Sequence, residues 1–378
     1  MTTTTEKGAD PGRGASGSRE LSERMARVVE RFRDGEERGL ARAISLVENA
    51  APGYEALLDA LHEGVGRARR IGITGPPGAG KSTLTAGLAR RFREDGLTVG
   101  ILAVDPTSPF TGGALLGDRV RMTELATESG IFIRSMASRG SLGGMATASR
   151  EAADLMDAFG FDRILLETVG VGQSELEIAQ ACDSTVVVLV PESGDGIQAM
   201  KAGLMEVADL FVVNKADRPG ADRLSAEIAI MQRIRAGRAP GAPMGHHGAA
   251  AGSERGVSAE DAPARSGPGR DAGSRPGRPE APVLQTVASK GEGIEELADA
   301  LEEHFASMKE GGRLETRRAE HLLEHARAVL RRRFESRADA IWEAMEDDIG
   351  DAVAEGRLSP YAGADRLERE AGGERDGS

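Results

Sequence analysis

The octapeptide Gly75-Pro-Pro-Gly-Ala-Gly-Lys-Ser82 fits the spacing G-x-x-x-x-G-K-S at every fixed position, and that spacing suits a polyphosphate. Its glycines let the chain wrap an anion and aim backbone N–H groups at phosphate oxygens. Lys81 adds a point charge for the β- and γ-phosphates, and the Ser82 hydroxyl is a magnesium ligand. Thr83 and its successors open a helix whose positive end faces the same anion. Gly75, Pro76, Pro77, Gly78, Ala79, Gly80, Lys81, Ser82 and Thr83 are therefore expected to hold a nucleoside triphosphate. The plainer reading is a glycine-rich turn. Gly80-Lys81-Ser82, between an apolar run at 70–74 and a helical run at 82–90, argues against it.

A second motif narrows the base. Asn214-Lys215-Ala216-Asp217 follows the apolar run 210–213. An aspartate carboxylate accepts from both N1–H and the exocyclic amine of guanine, and adenine offers neither donor there. Each buried polar group left unpaired by the wrong base costs on the order of 1–3 kcal/mol, which is enough to discriminate. Lys215 would lie along the base and ribose. This tetrapeptide arises often by chance; its place after a strand and downstream of a phosphate loop makes it informative. Farther on, Thr286-Val-Ala-Ser-Lys-Gly-Glu-Gly293 sets Val287, Ala288 and Ser289 where a backbone N–H, expected from Ala288, can meet guanine O6. Sites of this kind usually carry Ser-Ala. Val287-Ala288 keeps the backbone contact and loses the serine side chain.

Three acids sit at or after strand ends: Asp105, Asp118 and Glu167. Magnesium takes hard oxygen ligands and keeps several waters, so Ser82 with one or two of these carboxylates forms the expected shell. Glu167 replaces the aspartate of the D-x-x-G pattern, and Gly170 can then turn its N–H toward the γ-phosphate. A turn cap for Asp105 and a solvated charge for Asp118 are the plain alternatives. The expected catalytic set is Lys81, Asp105, Asp118, Glu167 and Gly170, working by positioning and charge neutralisation. Val171 stands where many small GTPases carry a water-orienting glutamine. Slow intrinsic hydrolysis gated by a partner is expected, with Gln173 and residues in 106–121 as candidates to fill the gap. Cys182 reads as a buried small hydrophobe.

The elements around these motifs define the fold class. Apolar runs at 70–74, 98–104, 131–134, 163–167, 184–190, 210–213 and 282–287 alternate with helical stretches. Several are unbroken Val/Ile/Leu runs, as in strands buried on both faces of a parallel sheet. The expectation is an α/β, doubly wound, mainly parallel sheet with ligands at the carboxyl ends of its strands. Residues 1–19 read as disordered, 20–66 as an N-terminal helical region and 67–305 as the nucleotide domain. Within that domain, residues 236–281 form a low-complexity insertion, with too little apolar surface to offset its ordering entropy. His246-His247 in it reads as incidental. Residues 306–368 read as a charged helical region and 369–378 as a disordered tail. Leu322, Ala326, Val329, Leu330, Phe334, Ala338, Ile341, Met345 and Ile349 form a stripe that must pack on the parent domain or on a second copy.

Composition excludes several classes. A formal charge of −13 with only 3% aromatic residues argues against nucleic acid and anionic membranes as partners. No segment approaches the ~20 apolar residues of a membrane span. One cysteine rules out an internal disulfide and a multi-cysteine metal site, and a cytoplasmic protein is expected.

Three strings resemble the methylmalonyl-CoA mutase-associated GTPases, the bacterial MeaB-type proteins and their mitochondrial counterpart. They are Ile73-Thr-Gly-Pro-Pro-Gly-Ala-Gly-Lys-Ser-Thr-Leu84, the stretch 103–122 beginning Ala103-Val-Asp-Pro-Thr-Ser-Pro, and Glu167-Thr-Val-Gly-Val-Gly-Gln-Ser-Glu175. The likeness spans about residues 25–365 and is interrupted by the insertion, which the family generally lacks. It implies a P-loop GTPase domain with helical N- and C-terminal extensions, GTP/GDP and Mg2+ as ligands, and homodimers through C-terminal helices. It also implies a GTPase chaperone of an adenosylcobalamin-dependent acyl-CoA mutase, methylmalonyl-CoA and isobutyryl-CoA mutases both being plausible partners. The chaperone would gate cofactor loading and protect or reactivate the mutase. The implied switches fall on 106–121 and 167–177. A third, at 191–201, carries Asp195, Gln198 and Lys201 as partner-coupling residues. Two rivals share the nucleotide site: a kinase of a transport system for basic amino acids and a nickel-inserting GTPase. The guanine motif disfavours the first, and the absence of a soft-ligand cluster disfavours the second.

Overall fold

The protein is described from a computed structural model, covering residues 21–105, 125–137, 142–168, 181–192, 202–235, 280–345 and 349–371. Seven strands form one sheet: β1 (Arg69–Thr74), β2 (Val99–Asp105), β3 (Ile131–Ala137), β4 (Arg163–Thr168), β5 (Ser184–Leu189), β6 (Leu210–Asn214) and β7 (Val283–Thr286). Their order is β3-β2-β4-β1-β5-β6-β7, and every pairing is parallel. The expected architecture is thus present, with no antiparallel strand in the sheet among the described residues. β4, β5 and β6 are buried at every position, the physical reason their sequences run apolar without alternation.

Alternate residues of each strand feed different cores. Ile164 and Leu166 face α1 (Glu23–Arg33), α2 (Glu37–Glu48), α3 (Tyr54–Leu61) and α5 (Leu142–Phe159). Leu165, Val186 and Val188 face α4 (Lys81–Glu94) and α8 (Ile294–Glu310). Farther along the sheet, Val187, Leu189, Phe211 and Val213 pack with Leu224 and Ile228 of α7 (Ala221–Arg235); a short α6 (Ala202–Val207) precedes β6. Met25, Val28, Val29 and Phe32 of α1 are buried, with Leu21 partly buried beside them. They join the sheet core, so the N-terminal helices are part of the domain. Asp157 on α5 closes the junction by accepting the N–H groups of Gly66, Arg67 and Ala68 at 2.8, 3.0 and 2.8 Å.

The C-terminal region comprises α9 (Arg313–Met345), α10 (Asp351–Ala354) and α11 (Pro360–Ala371). A helix of 33 residues is about 50 Å long. Charge, more than apolar packing, seats it on the domain. Arg317 forks onto Asp209 at 3.0 and 3.1 Å, and Arg318 onto Asp183 at 2.8 and 2.7 Å. Arg332 meets Glu151 at 2.8 Å and Arg333 meets Glu55 at 3.0 Å. Asp183 and Asp209 precede β5 and β6 and are nearly fully buried, so leaving either unpaired would cost about 3–5 kcal/mol. His321, in the same seam, is pushed down to about 4 by burial and by neighbouring arginines, so it is neutral near pH 7. The apolar stripe is divided. Leu322, Leu330 and Phe334 are 53%, 54% and 63% exposed, whereas Ile349 is buried. Among the described residues, no helix is long and apolar enough to cross a membrane.

Of the expected insertion 236–281, residues 236–279 lie outside the described residues. Glu280 and Ala281, counted within it, belong to the described fold. The Gln232 side chain donates to Ala281 O at 3.0 Å and accepts from its N–H at 2.7 Å. A side chain on α7 thus orders a backbone whose own composition gives no sign of it. The described residues on either side of 236–279 meet at this contact. Replacing residues 236–279 by a short Gly/Ser linker is therefore expected to leave the melting temperature within about 3 °C of the parent and GTP turnover unchanged. Calorimetry and a phosphate-release assay check this.

Candidate nucleotide-binding site

The phosphate loop leaves β1 at Thr74 and enters α4 at Lys81. Its glycines answer two close approaches. Gly75 has φ +140°, and a Cβ there would lie 2.0 Å from Val188 O; Gly80 has φ +86°, and its Cβ would lie 2.4 Å from Asn214 Nδ2. Any other residue would displace β5 or the base loop. Lys81 is buried, and its ammonium donates to the carbonyls of Gly75 at 2.8 Å and Pro76 at 3.1 Å. Those contacts hold the charge over the concavity where a phosphate would sit.

Glu167 lies near the carboxyl end of β4, in register with Ile73 of β1 and Ala103 of β2. It is 5% exposed, and its Oε1 accepts the Ser82 hydroxyl at 2.5 Å. Two hard oxygens are thus held side by side next to the phosphate loop. This donor set fits a magnesium ion that keeps several waters and takes further oxygens from phosphates. Asp105 closes β2 beside this pair, but its side chain is outside the described residues. Asp118, Gly170, Val171, Gln173, Asp195, Gln198 and Lys201 also lie outside them.

β6 delivers Asn214 to the centre of the site. Its Nδ2 donates to Ala79 O at 2.8 Å, while its Oδ1 accepts from Thr286 Oγ1 and from Ala288 N, each at 3.1 Å. One buried amide thus ties the phosphate loop to the loop after β7. The Ala288 N–H, expected to meet guanine O6, rests on Asn214 Oδ1 here. Lys215 adopts φ +58°, uncommon for a side-chain-bearing residue, and its ammonium reaches Gly78 O at 2.9 Å. Asp217 stands at the cleft with its carboxylate 3.4 Å from the ammonium of Lys290.

A cleft of about 490 Å³ opens above the carboxyl edges of β1, β4 and β6. Pro77, Gly78, Gly80, Lys81, Ser82, Thr83, Glu167, Asn214, Lys215, Asp217, Val287, Ala288 and Ser289 come together there. Sequence reasoning missed three participants. Arg218 lines the cleft and pairs with Glu192, whose carboxyl it holds below the usual range; Thr286 orients Asn214; Lys290 faces Asp217. The adjacency of Arg218 to Asp217 was the available signal for the first. The other two depend on loops far apart in sequence. Cys182 is buried as expected, and burial pushes its thiol pKa well up, which suits packing and not nucleophilic chemistry.

A phosphate loop, a buried carboxylate beside its serine and a guanine-type base loop, all on the carboxyl edge of a parallel sheet, define a P-loop GTPase. Residues 40–343 match the family model for methylmalonyl-CoA mutase-associated GTPase MeaB. A relative from Pyrococcus abyssi named as a GTPase is 40% identical over 344 residues, covering 91% of this chain and 95% of that protein. The GTPase ArgK of Escherichia coli is 46% identical over 197 residues, which cover 51% of this chain and 60% of that protein. A crystal structure of an LAO/AO transport system kinase superposes with TM-score 0.59 at 27% identity, covering 93% of this chain and 99% of that one. The chain belongs to the MeaB family and is a GTPase.

Lys81→Ala is expected to weaken GDP and GTP binding at least about 100-fold, because a charge-assisted phosphate contact disappears. Titration with a fluorescent guanine nucleotide measures it; affinity within twofold of the parent would contradict the loop assignment.

Proposed function

We propose that this GTPase is a chaperone of an adenosylcobalamin-dependent acyl-CoA mutase, methylmalonyl-CoA mutase foremost, and that it acts in the cytoplasm. The observation that carries the reading is the family match over residues 40–343. A mouse relative, named methylmalonic aciduria type A homolog, is 40% identical over 215 residues, covering 52% of each chain. In this reading the guanine nucleotide state gates loading of cofactor and protects or reactivates the mutase.

The residues assign themselves to steps. Lys81 and the backbone of 75–82 bind the phosphates, Asn214, Lys215 and Asp217 bind the base, and Val287, Ala288 and Ser289 close over it. Ser82 and Glu167 would hold magnesium, with Asp105 and Asp118 as further ligands, and the ion would neutralise charge between the β- and γ-phosphates. Gly170 would turn its N–H toward the γ-phosphate, and Asp195, Gln198 and Lys201 would couple hydrolysis to the partner. Val171 leaves the attacking water without the glutamine found in many small GTPases, so a partner that orders the switches should accelerate hydrolysis.

A homodimer is part of the proposal. α9 carries Leu322, Leu323, Leu330, Phe334 and Trp342, all at least 43% exposed. A run of large apolar side chains on one helix is costly in water and suits a two-fold helix pair. A transport-system kinase, the name of the 27%-identical structure, is the second reading; preference for ATP over GTP in competition would favour it.

Adding the purified mutase is expected to raise the GTP hydrolysis rate by roughly tenfold or more, on the scale of partner-supplied stabilisation in other GTPases. An unchanged rate with all candidate mutases would contradict the partnership. Glu167→Gln is expected to preserve GDP binding and to lower turnover at least about tenfold, with a higher magnesium requirement. Steady-state phosphate release across a magnesium series reads both.

A further inference from the structure

We propose that Lys290 is a positioning residue for guanine specificity, holding the carboxylate of Asp217 from behind so that both of its oxygens can face the base. The inference rests on the reading of Asp217 as the guanine acceptor and extends it to a residue outside the N-K-x-D tetrapeptide.

The geometry singles out Lys290 among the neighbouring cations. Lys215, two residues before Asp217, commits its ammonium to Gly78 O at 2.9 Å. Arg218, the next residue, turns its guanidinium to Glu192. Lys290 is the cation paired with Asp217, at 3.4 Å from Oδ2. Its backbone sits in a closed turn. The turn Ala288–Lys290 is closed by a Lys290 N–H to Val287 O bond of 2.8 Å, and Gly291 at φ +77° ends it. An antiparallel bridge between Val287 and Glu292 clamps the base of the same loop.

Position relative to the cleft decides what Lys290 can do. Asp217 lines the nucleotide cleft, and Lys290 stands outside it. A carboxylate oxygen carries two lone pairs. Oδ2 can therefore accept from Lys290 on its outer side and from guanine on its inner side. Asp217 and Lys290 are 43% and 54% exposed, so the pair remains solvated and does not bar entry of the base. Without Lys290, the carboxylate rotates about χ2 more freely and meets guanine with one oxygen more often than with two.

That distinction is readable. Guanine offers N1–H and the exocyclic amine, whereas hypoxanthine offers N1–H alone. Loss of bidentate geometry should therefore penalise GDP more than IDP, while a general loosening of the loop should penalise both alike. Competition against a fluorescent guanine nucleotide on the full chain supplies the measurement. Lys290→Met is expected to weaken GDP about 3- to 5-fold, the range of an exposed ion pair, and IDP less than twofold. Lys290→Arg is expected to restore the parental GDP/IDP ratio. Unchanged GDP affinity in Lys290→Met, or equal losses for GDP and IDP, would overturn the assignment. Asp217→Asn, measured in parallel, separates the two levels. A shift from GDP toward XDP upholds the base reader, so that a silent Lys290→Met then refutes Lys290 alone. Unaltered GDP binding in Asp217→Asn would remove the base reader and the proposal with it.

Discussion

Three loops from different strands share one buried side chain. Asn214 gives its amide N–H to the phosphate loop at Ala79 O and its carbonyl to Thr286 and Ala288. Each partner is a group whose burial without a hydrogen bond would cost about 1–3 kcal/mol. The tie is therefore strong enough to fix phosphate loop, base loop and closing loop as one unit. It explains why Gly80 must be glycine, since the amide occupies the space of a Cβ. It also puts phosphate recognition and base recognition at a fixed separation, as one rigid ligand requires.

The opposite end of the sheet is organised by charge. Asp183 and Asp209, at the amino ends of β5 and β6, take Arg318 and Arg317 of α9. The same two strands end at the nucleotide edge, β6 in Asn214 itself. A long helix fastened by forked arginine pairs keeps its direction with modest apolar burial: Leu314 is buried, while Leu322, Leu330 and Phe334 stay more than half exposed.

Much of this was legible in the chain. Unbroken runs such as 163–167 and 184–190 announced strands buried on both faces, and each became a member of a parallel sheet. The phosphate loop and Asn214-Lys215-Ala216-Asp217 were legible because their chemistry is local: adjacent residues aim at one ligand. Glu167 was legible as a strand-end acid, although only the fold puts it 2.5 Å from the Ser82 hydroxyl. What escaped was non-local. Lys290 and Asp217, Gln232 and Ala281, and Arg318 and Asp183 are partners that meet only after the sheet has formed. The apolar stripe of α9 has the periodicity of a packed helix, and periodicity does not say against what. The low-complexity composition around Ala281 likewise could not show that a glutamine on α7 orders it.

Asn214 is the side chain on which assembly of the site depends. Asn214→Ala removes the ties to Ala79, Thr286 and Ala288 as well as any contact with the base, so its affinity is measured for pyrophosphate, which meets the phosphate loop alone, beside GDP, by calorimetric titration with the melting temperature as a folding control. The prediction is a loss of at least about 30-fold in a folded protein, corresponding to about 2 kcal/mol from the severed ties. Affinity within twofold of the parent would show that the three loops are held in place without it.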